Sequence, residues 1–438
     1  MLKRKIQLYI KEYFNSEMDK ILIIDGARQV GKSYIIRHEG KAAFTHFVEI
    51  NLIDDRDGAR IFADVKGTED FYLRLSSFAG NKLGSKKDTL VFLDEIQAYP
   101  EMFTLLKFLC DEGRFNYVVS GSLLGVTLHK TLSIPGGRIT VEHMYPLDFE
   151  EFLWANGIGV EVIEHLRKQY EKRESVSDAI HHRILDLFKT YLLVGGLPQA
   201  VNEYISTQNI YRVRKIHEEI YNLYKEDASQ YSAAEKLKIR RVYDLIPSNM
   251  ENRKKRLRFN EIEDKAGKAA RDYENEIDYL VSAGVALEVN AIANPVFPLI
   301  ASAKKNLLKL YLNDVGLLSH ILFHTNITAI KDDQASINLG SVYETVVACE
   351  LRAHGHPLFY YDNKQKGEVD FMVDDYNSLS ILPLEVKSGR DYNIHRALDR
   401  FVSNPDYQIK TALVLSNNAA VSSQGNITHL PIYYSMFL

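Results

Sequence analysis

Apolar residues along this chain fall into three kinds of run, and their order predicts the architecture. Leu8, Ile10, Tyr13 and Phe14 have loosely helical spacing, and Ile21 to Ile24 is an apolar run of strand length. Phe44–Ile50, Leu90–Leu93 and Tyr117–Val119 repeat that short pattern, each separated by helical stretches. Short apolar strands alternating with helices predict a parallel sheet covered on both faces over residues 1–155. From Phe149 to about Gln230 the apolar positions recur every three or four residues: Phe149, Phe152, Leu153, Ile163, Leu166, Ile184, Leu187, Leu192. That spacing predicts helices over 156–235, broken by a loop at Gly195-Gly196-Leu197-Pro198.

Residues 236–310 read as a smaller module. Leu237–Ile246 and Asp272–Ala283 are helical by spacing, Gly284 closes the second helix, and Val285–Ala291 alternates as a strand. Helix, helix, strand is the order of a winged helix. Over 311–438 the α/β alternation returns: helix Val342–Leu351, strands Glu368–Val373 and Ile381–Lys387 about a turn, helix Ile394–Val402, and strand Thr411–Leu415.

Composition narrows the function classes. The 438 residues are 46% hydrophobic and 26% charged, the balance of folded soluble domains. With 54 Lys+Arg against 58 Asp+Glu the net charge is -4, which excludes a strongly basic coat for nucleic acid but not a local basic groove. Cys110 and Cys349, the two cysteines, exclude a disulfide framework or a cysteine-built zinc site. No uncharged apolar run approaches the ~18 residues that span a bilayer. Met1–Lys20 lacks the apolar stretch of an export signal, so no membrane partner and a cytoplasmic location are expected.

Chemistry concentrates first at Gly26-Ala27-Arg28-Gln29-Val30-Gly31-Lys32-Ser33, followed by Tyr34. This is G-x-x-x-x-G-K-[ST] after a strand and before a helix. The glycines let successive N–H groups turn inward on phosphate oxygens, Lys32 reaches the β- and γ-phosphates, and Ser33 binds Mg²⁺. The helix start adds its positive end to the same place. Expected ligands are therefore ATP and Mg²⁺. Leu90–Leu93 then delivers Asp94 and Glu95 at a strand end, Asp94 for the metal shell and Glu95 to orient or deprotonate the attacking water. Ser120 or Ser122 is placed to sense the γ-phosphate. Arg138, after Gly136-Gly137, is expected as an arginine finger, in its own subunit or in a neighbouring one of a homo-oligomer.

A second group is Glu344, Asp370, Glu385 and Lys387. Glu385 and Lys387 lie two apart in a strand and share a face, with Asp370 on the strand before and Glu344 on a preceding helix. Such carboxylates hold a metal that lowers the pKa of bound water, and a lysine stabilises the phosphorane, which is phosphodiester chemistry. The run Arg253-Lys254-Lys255-Arg256 with Arg258 offers phosphate contacts on DNA or RNA, or a solvated basic face. His181-His182 and His354-Gly355-His356 lack further ligands at metal spacing and are expected at the surface.

These motifs resemble the AAA-type ATPases of the archaeal-ATPase branch, P-loop NTPases, and in particular a bacterial and archaeal family. That family joins such an ATPase to a C-terminal domain of unknown function with a restriction-endonuclease-like core. The likeness is carried by Gly26–Ser33, Leu90–Gln97, Val119–Ser122, Gly137-Arg138, Tyr145–Phe152, Tyr191–Ala200, Gly367–Phe371 and Leu384–Ser388. Asp370, Glu385 and Lys387 match the PD-(D/E)XK signature, with Val369 in place of its proline. The resemblance implies an α/β fold in four parts: an ATPase core at 1–155, a helical lid at 156–235, a winged-helix-like module at 236–310 and a nuclease-like domain at 311–438. The expected function is ATP hydrolysis controlling a nuclease-like domain on nucleic acid. A nucleotide switch or scaffold with a non-cleaving domain, and a DNA-binding regulator, are the alternatives.

Overall fold

Ile21–Asp25 (β1) is apolar up to its last residue and lies buried inside a parallel sheet, as a strand flanked by helices must. The computed structural model describes residues 2–16, 18–53, 59–122, 137–226, 233–252, 254–332, 339–363, 365–389 and 395–438. Gly136, Arg253 and Ile394 of the motifs above lie outside them. The chain divides into two compact units, essentially 3–145 with 282–284, and 146–281 with 285–438.

In the first unit, His46–Asn51 (β2), Thr89–Asp94 (β3), Asn116–Gly121 (β4) and Ile139–His143 (β5) join β1 in the order β2-β3-β4-β1-β5, all parallel. One face carries Ile21, Ile23, Val48, Ile50, Val91, Leu93 and Val119. It packs on Phe71 and Leu75 of helix Thr68–Ala79 and on Phe103, Leu106 and Leu109 of helix Glu101–Glu112. Each such apolar side chain contributes about 1.5–3 kcal/mol on burial. The helix Lys32–Ala43 approaches Phe47 of β2 and Leu90 of β3 so closely that a Cβ at Gly40 would lie 2.6 and 2.9 Å from them. Parallel register aligns the carboxyl ends of four strands, with Asp94 beside Asn51 and Gly121 beside Asp25.

The second unit begins with a capping box. Asp148 accepts from Glu151 N (2.8 Å), and Glu151 accepts from Asp148 N (3.3 Å), starting the helix Phe149–Ala155. Helices Val160–Lys172, Asp178–Val194, Pro198–Thr207 and Ile210–Glu226 follow, burying the predicted Ile163, Leu166, Ile184 and Leu192. The Gly195-Gly196 turn is required by close approach. A Cβ on Gly196 would stand 2.0 Å from Leu147 O, and one on Gly195 2.2 Å from an Asp314 carboxylate oxygen. His181, expected at the surface, is buried and 3.1 Å from Tyr433 Oη, because its helix turns that face inward; His182 is exposed as expected.

Over 233–312 stand the helices Ala233–Glu251, Phe259–Glu263 and Glu274–Ser282, then Ala286–Ile292 (β6) and Ala303–Leu312 (β7). This antiparallel pair continues into a larger sheet with Phe359–Asn363 (β8), Gly367–Asp375 (β9), Ser380–Val386 (β10), Ala412–Ser416 (β11), Ser422–Gln424 (β12) and Ile427–Pro431 (β13). Its order is β12-β13-β11-β10-β9-β8-β6-β7. β9 is antiparallel to both neighbours, while β10, β11 and β13 run parallel. Helix Gly340–Ala353 precedes β8, and helix Arg396–Val402 connects β10 to β11. Among the described residues no helix is long and apolar enough to cross a membrane.

Candidate functional sites

The loop Gly26–Ser33 leaves β1 through left-handed or otherwise positive φ at Gly26 (144°), Gln29 (67°) and Gly31 (97°). Gly26 admits no side chain, since a Cβ there would lie 2.2 Å from Met144 O. Arg4 pins the loop from the chain start, donating to Val30 O (3.1 Å) and Tyr145 O (2.7 Å). Lys32 opens the helix, is buried, and donates to the carbonyls of Gly26 (2.9 Å) and Ala27 (2.8 Å). Burial lowers its pKa, while Glu95, Asp25 and Asp94 pull the other way. Ala27 and Val30 are buried, Arg28 is half-buried, and Gln29 and Tyr34 face solvent.

Ser33 Oγ donates to Asp94 Oδ1 at 2.9 Å. Ser120 Oγ donates to the same oxygen, and Asn51 Nδ2 to Oδ2 at 3.3 Å. Burial raises the Asp94 pKa against the two serine hydrogen bonds. A hydroxyl beside an oriented carboxylate is a donor set that suits Mg²⁺. Glu95 holds a left-handed backbone (φ 60°), uncommon for a non-glycine residue, and its carboxylate takes Ser122 Oγ at 3.0 Å and the Gln97 amide. Ser120 and Ser122 thus divide between Asp94 and Glu95. Arg138 sits elsewhere: its carbonyl accepts from Ile21 N (2.9 Å), at the end of β1 remote from Gly26, and its guanidinium pairs with Asp111 at 2.6 Å. Within its own unit it does not meet the phosphate loop. Asn51 and Arg4 were missed in the sequence; a polar residue ending a parallel strand is the signal that would have found Asn51.

In the second unit Glu344, Asp370, Glu385 and Lys387 come together. Lys387 Nζ donates to Glu385 Oε1 (2.8 Å), and Asp370 Oδ2 accepts from Val386 N (2.8 Å). Desolvation raises Asp370 well above the ordinary carboxyl value, reinforced by the charges of Glu385 and Glu344. Burial also raises Glu385, against Lys387. Lys387 loses water too, yet Glu385 and Asp370 outweigh this and hold its pKa up.

Four further residues belong here. Tyr311 Oη donates to Glu344 Oε2 at 3.0 Å, Lys255 pairs with Glu344 Oε1, and the fully buried Lys309 pairs with Glu368. Burial works against the Glu344 charge, but Lys255 and Lys309 prevail and lower its pKa. The carboxylates have the donor chemistry for a divalent cation. Their arrangement departs from one at Glu344, and among the described residues no three acidic, His or Cys side chains are arranged to hold a metal. The described residues of the basic run meet acids: Lys254 lies 3.6 Å from Asp362, Arg256 pairs with Asp362 and donates to Tyr360 Oη (3.0 Å), and Arg258 bonds Glu261 (2.9 Å). Neither histidine pair forms a metal site among the described residues.

Residues 18–153 match the family model described as an AAA domain. Residues 185–328 and 339–434 match two domains of unknown function, DUF8612 and DUF4143. No curated protein matches the chain. Among solved structures, the chain is similar to the Walker-type ATPase PABY2304 of Pyrococcus abyssi, at 16% identity over 73% of this chain and 95% of that one, TM-score 0.43. It is also similar to Cdc6p from Pyrobaculum aerophilum, at 13% identity over 76% and 95% of the two chains, TM-score 0.30. A third is the S. cerevisiae Hsp104–ADP complex, at 12% identity over 64% and 37%, TM-score 0.30. The loop geometry and the family match together make residues 18–153 an AAA-type P-loop domain, carried on one chain with two domains of unknown function.

Proposed function

We propose that the chain binds ATP with Mg²⁺, hydrolyses the triphosphate, and through its nucleotide state controls a nuclease-like C-terminal domain acting on nucleic acid. The observation that carries this reading is the meeting of Gly26–Ser33, Asp94 and Glu95 at one sheet edge. Lys32 would leave the Gly26 and Ala27 carbonyls for the β- and γ-phosphates. Ser33 and Asp94 would hold Mg²⁺, which neutralises charge developing on the phosphate oxygens. Glu95, steadied by Gln97 and Ser122, orients water. As the water oxygen bonds to the γ-phosphorus and the bond to the β-phosphate oxygen breaks, its proton passes to the Glu95 carboxylate, and ADP and phosphate leave. Arg138 would serve a neighbouring copy in a homo-oligomer, a role supported by its distance along β1 from its own loop. A cytoplasmic setting is supported by the two unpaired cysteines, Cys110 and Cys349.

For the C-terminal domain, the reading is supported by the order helix, β8, β9, β10, helix, β11, with Glu344 on the first helix, Asp370 on β9 and Glu385 before Lys387 at the end of β10. One observation favours the alternative of a non-cleaving partner-binding domain: lysines already neutralise Glu344 and Glu368. A panel of DNA and RNA with Mg²⁺ or Mn²⁺, with and without ATP, decides. Cleavage that changes with ATP and disappears in Asp370→Ala and Lys387→Ala supports the nuclease. Full ATP turnover with no cut on any substrate supports the switch. Absence of nucleotide binding would remove both readings.

A further inference from the structure

We infer that the Lys255 ammonium group takes, at Glu344, the place of a divalent cation and competes with it for that carboxylate. This rests on the reading of Glu344, Asp370 and Glu385 as a metal centre. Lys255 lies in the non-helical strap 254–258 that leads into helix Phe259–Glu263. The strap is fastened on both sides. Ser341 Oγ donates to Glu251 Oε1 at 2.5 Å, and Leu257 N donates to Leu308 O of β7 at 3.1 Å. Arg256 and Lys254 hold Asp362 between these points.

Ser341 and Glu344 are three apart on one helix face, so a strap anchored at Ser341 presents Lys255 to Glu344. Its side chain keeps only 15% of its surface exposed, which leaves little room for a cation at Glu344 Oε1 while it stays. The remaining Glu344 oxygen is taken by Tyr311. By contrast, among the described residues Glu385 Oε2 is buried with no hydrogen-bond partner, an acceptor turned to neither lysine nor backbone. Around these atoms the carboxylates Glu344, Glu368, Asp370 and Glu385 face the ammonium groups of Lys255, Lys309 and Lys387. Withdrawal of Lys255 frees one Glu344 oxygen and adds one uncompensated negative charge, and both changes favour a dication in a site of low dielectric.

The test is Mn²⁺ binding to the full-length chain without nucleotide, by calorimetry and by the electron paramagnetic resonance signal of free Mn²⁺. The site is defined as the component lost in Asp370→Asn. Lys255→Met is expected to tighten that component about tenfold. Lys255→Arg, whose planar fork grips a carboxylate more firmly, is expected to weaken it below the unsubstituted chain. Circular dichroism reports whether Lys255→Met folds; if it does not, the direction of Lys255→Arg decides. Equal Mn²⁺ affinity in the unsubstituted chain and both variants overturns the competition and leaves the metal centre standing. No Mn²⁺ binding in any of the folded proteins overturns the metal centre, and the competition with it.

Discussion

Ser33 and Asp94, 61 residues apart, share a 2.9 Å hydrogen bond at the carboxyl edge of the parallel sheet. The contact joins the end of the phosphate loop to the end of β3, and it forms because parallel register brings both strand ends to one side. Ser120 closes on the same carboxylate from β4, and Glu95, next in the chain, is turned by its left-handed backbone toward Ser122 and Gln97.

That arrangement separates binding from chemistry. Lys32→Ala is expected to lose ATP affinity outright in a calorimetric titration. Glu95→Gln, isosteric and still able to engage Ser122, is expected to keep affinity while turnover falls by about 10² or more. Equal turnover in Glu95→Gln and the unsubstituted chain would remove Glu95 from the reaction.

Arg138 pairs with Asp111 beside Ile21, at the far end of the strand that leads to Gly26. Arg138→Ala is therefore expected to leave ATP affinity unchanged. Its turnover defect is expected to appear only at protein concentrations where the unsubstituted chain associates, which turnover measured against concentration by steady-state assay and light scattering will show.

Gly26→Ala would push a methyl group to 2.2 Å from Met144 O at a φ of 144°. Overpacking and backbone strain act together, and a loss of about 2–4 kcal/mol in urea unfolding is expected, with ATP affinity falling as well.

Arg256 of the basic run pairs with a buried acid, so its substitution is expected to act on stability. The Asp362 side chain is 4% exposed and pairs with Arg256. Arg256→Ala leaves a buried carboxylate with only the more distant Lys254, and a loss of about 3 kcal/mol in chemical denaturation is expected. A DNA affinity that drops while stability holds would contradict this.

Asp314 gives a pH signature. Burial pushes its carboxyl up from 3.8 to about 6, although Gly196 N (2.6 Å) and Leu317 N (3.0 Å) donate to it. The folded chain therefore holds this proton more firmly than the unfolded one. The resulting stability is fully present below about pH 4 and is lost as pH rises through about 6. Asp314→Asn cannot titrate. Relative to it, the unsubstituted chain is expected to lose up to about 3 kcal/mol between pH 4 and 7, read from denaturant midpoints of both proteins.

Much of the first unit was legible because its signals are local. Ile21–Ile24 and Leu90–Leu93 are apolar throughout, a pattern that a strand buried on both faces dictates, and the glycines of Gly26–Ser33 mark a positive-φ turn wherever they occur. The alternation around Asp370 and Glu385 likewise predicted two strands about a turn, and these pair antiparallel as β9 and β10. What only the tertiary structure decided was pairing between distant charges. Lys254, Lys255 and Arg256 read as a basic face, since charge along a chain carries no record of which buried carboxylate will face it; folding sets Lys255 on Glu344 and Arg256 on Asp362. Register decided the rest: Arg138 follows two glycines in sequence, and only parallel alignment with Ile21 shows it at the end of the sheet away from the loop.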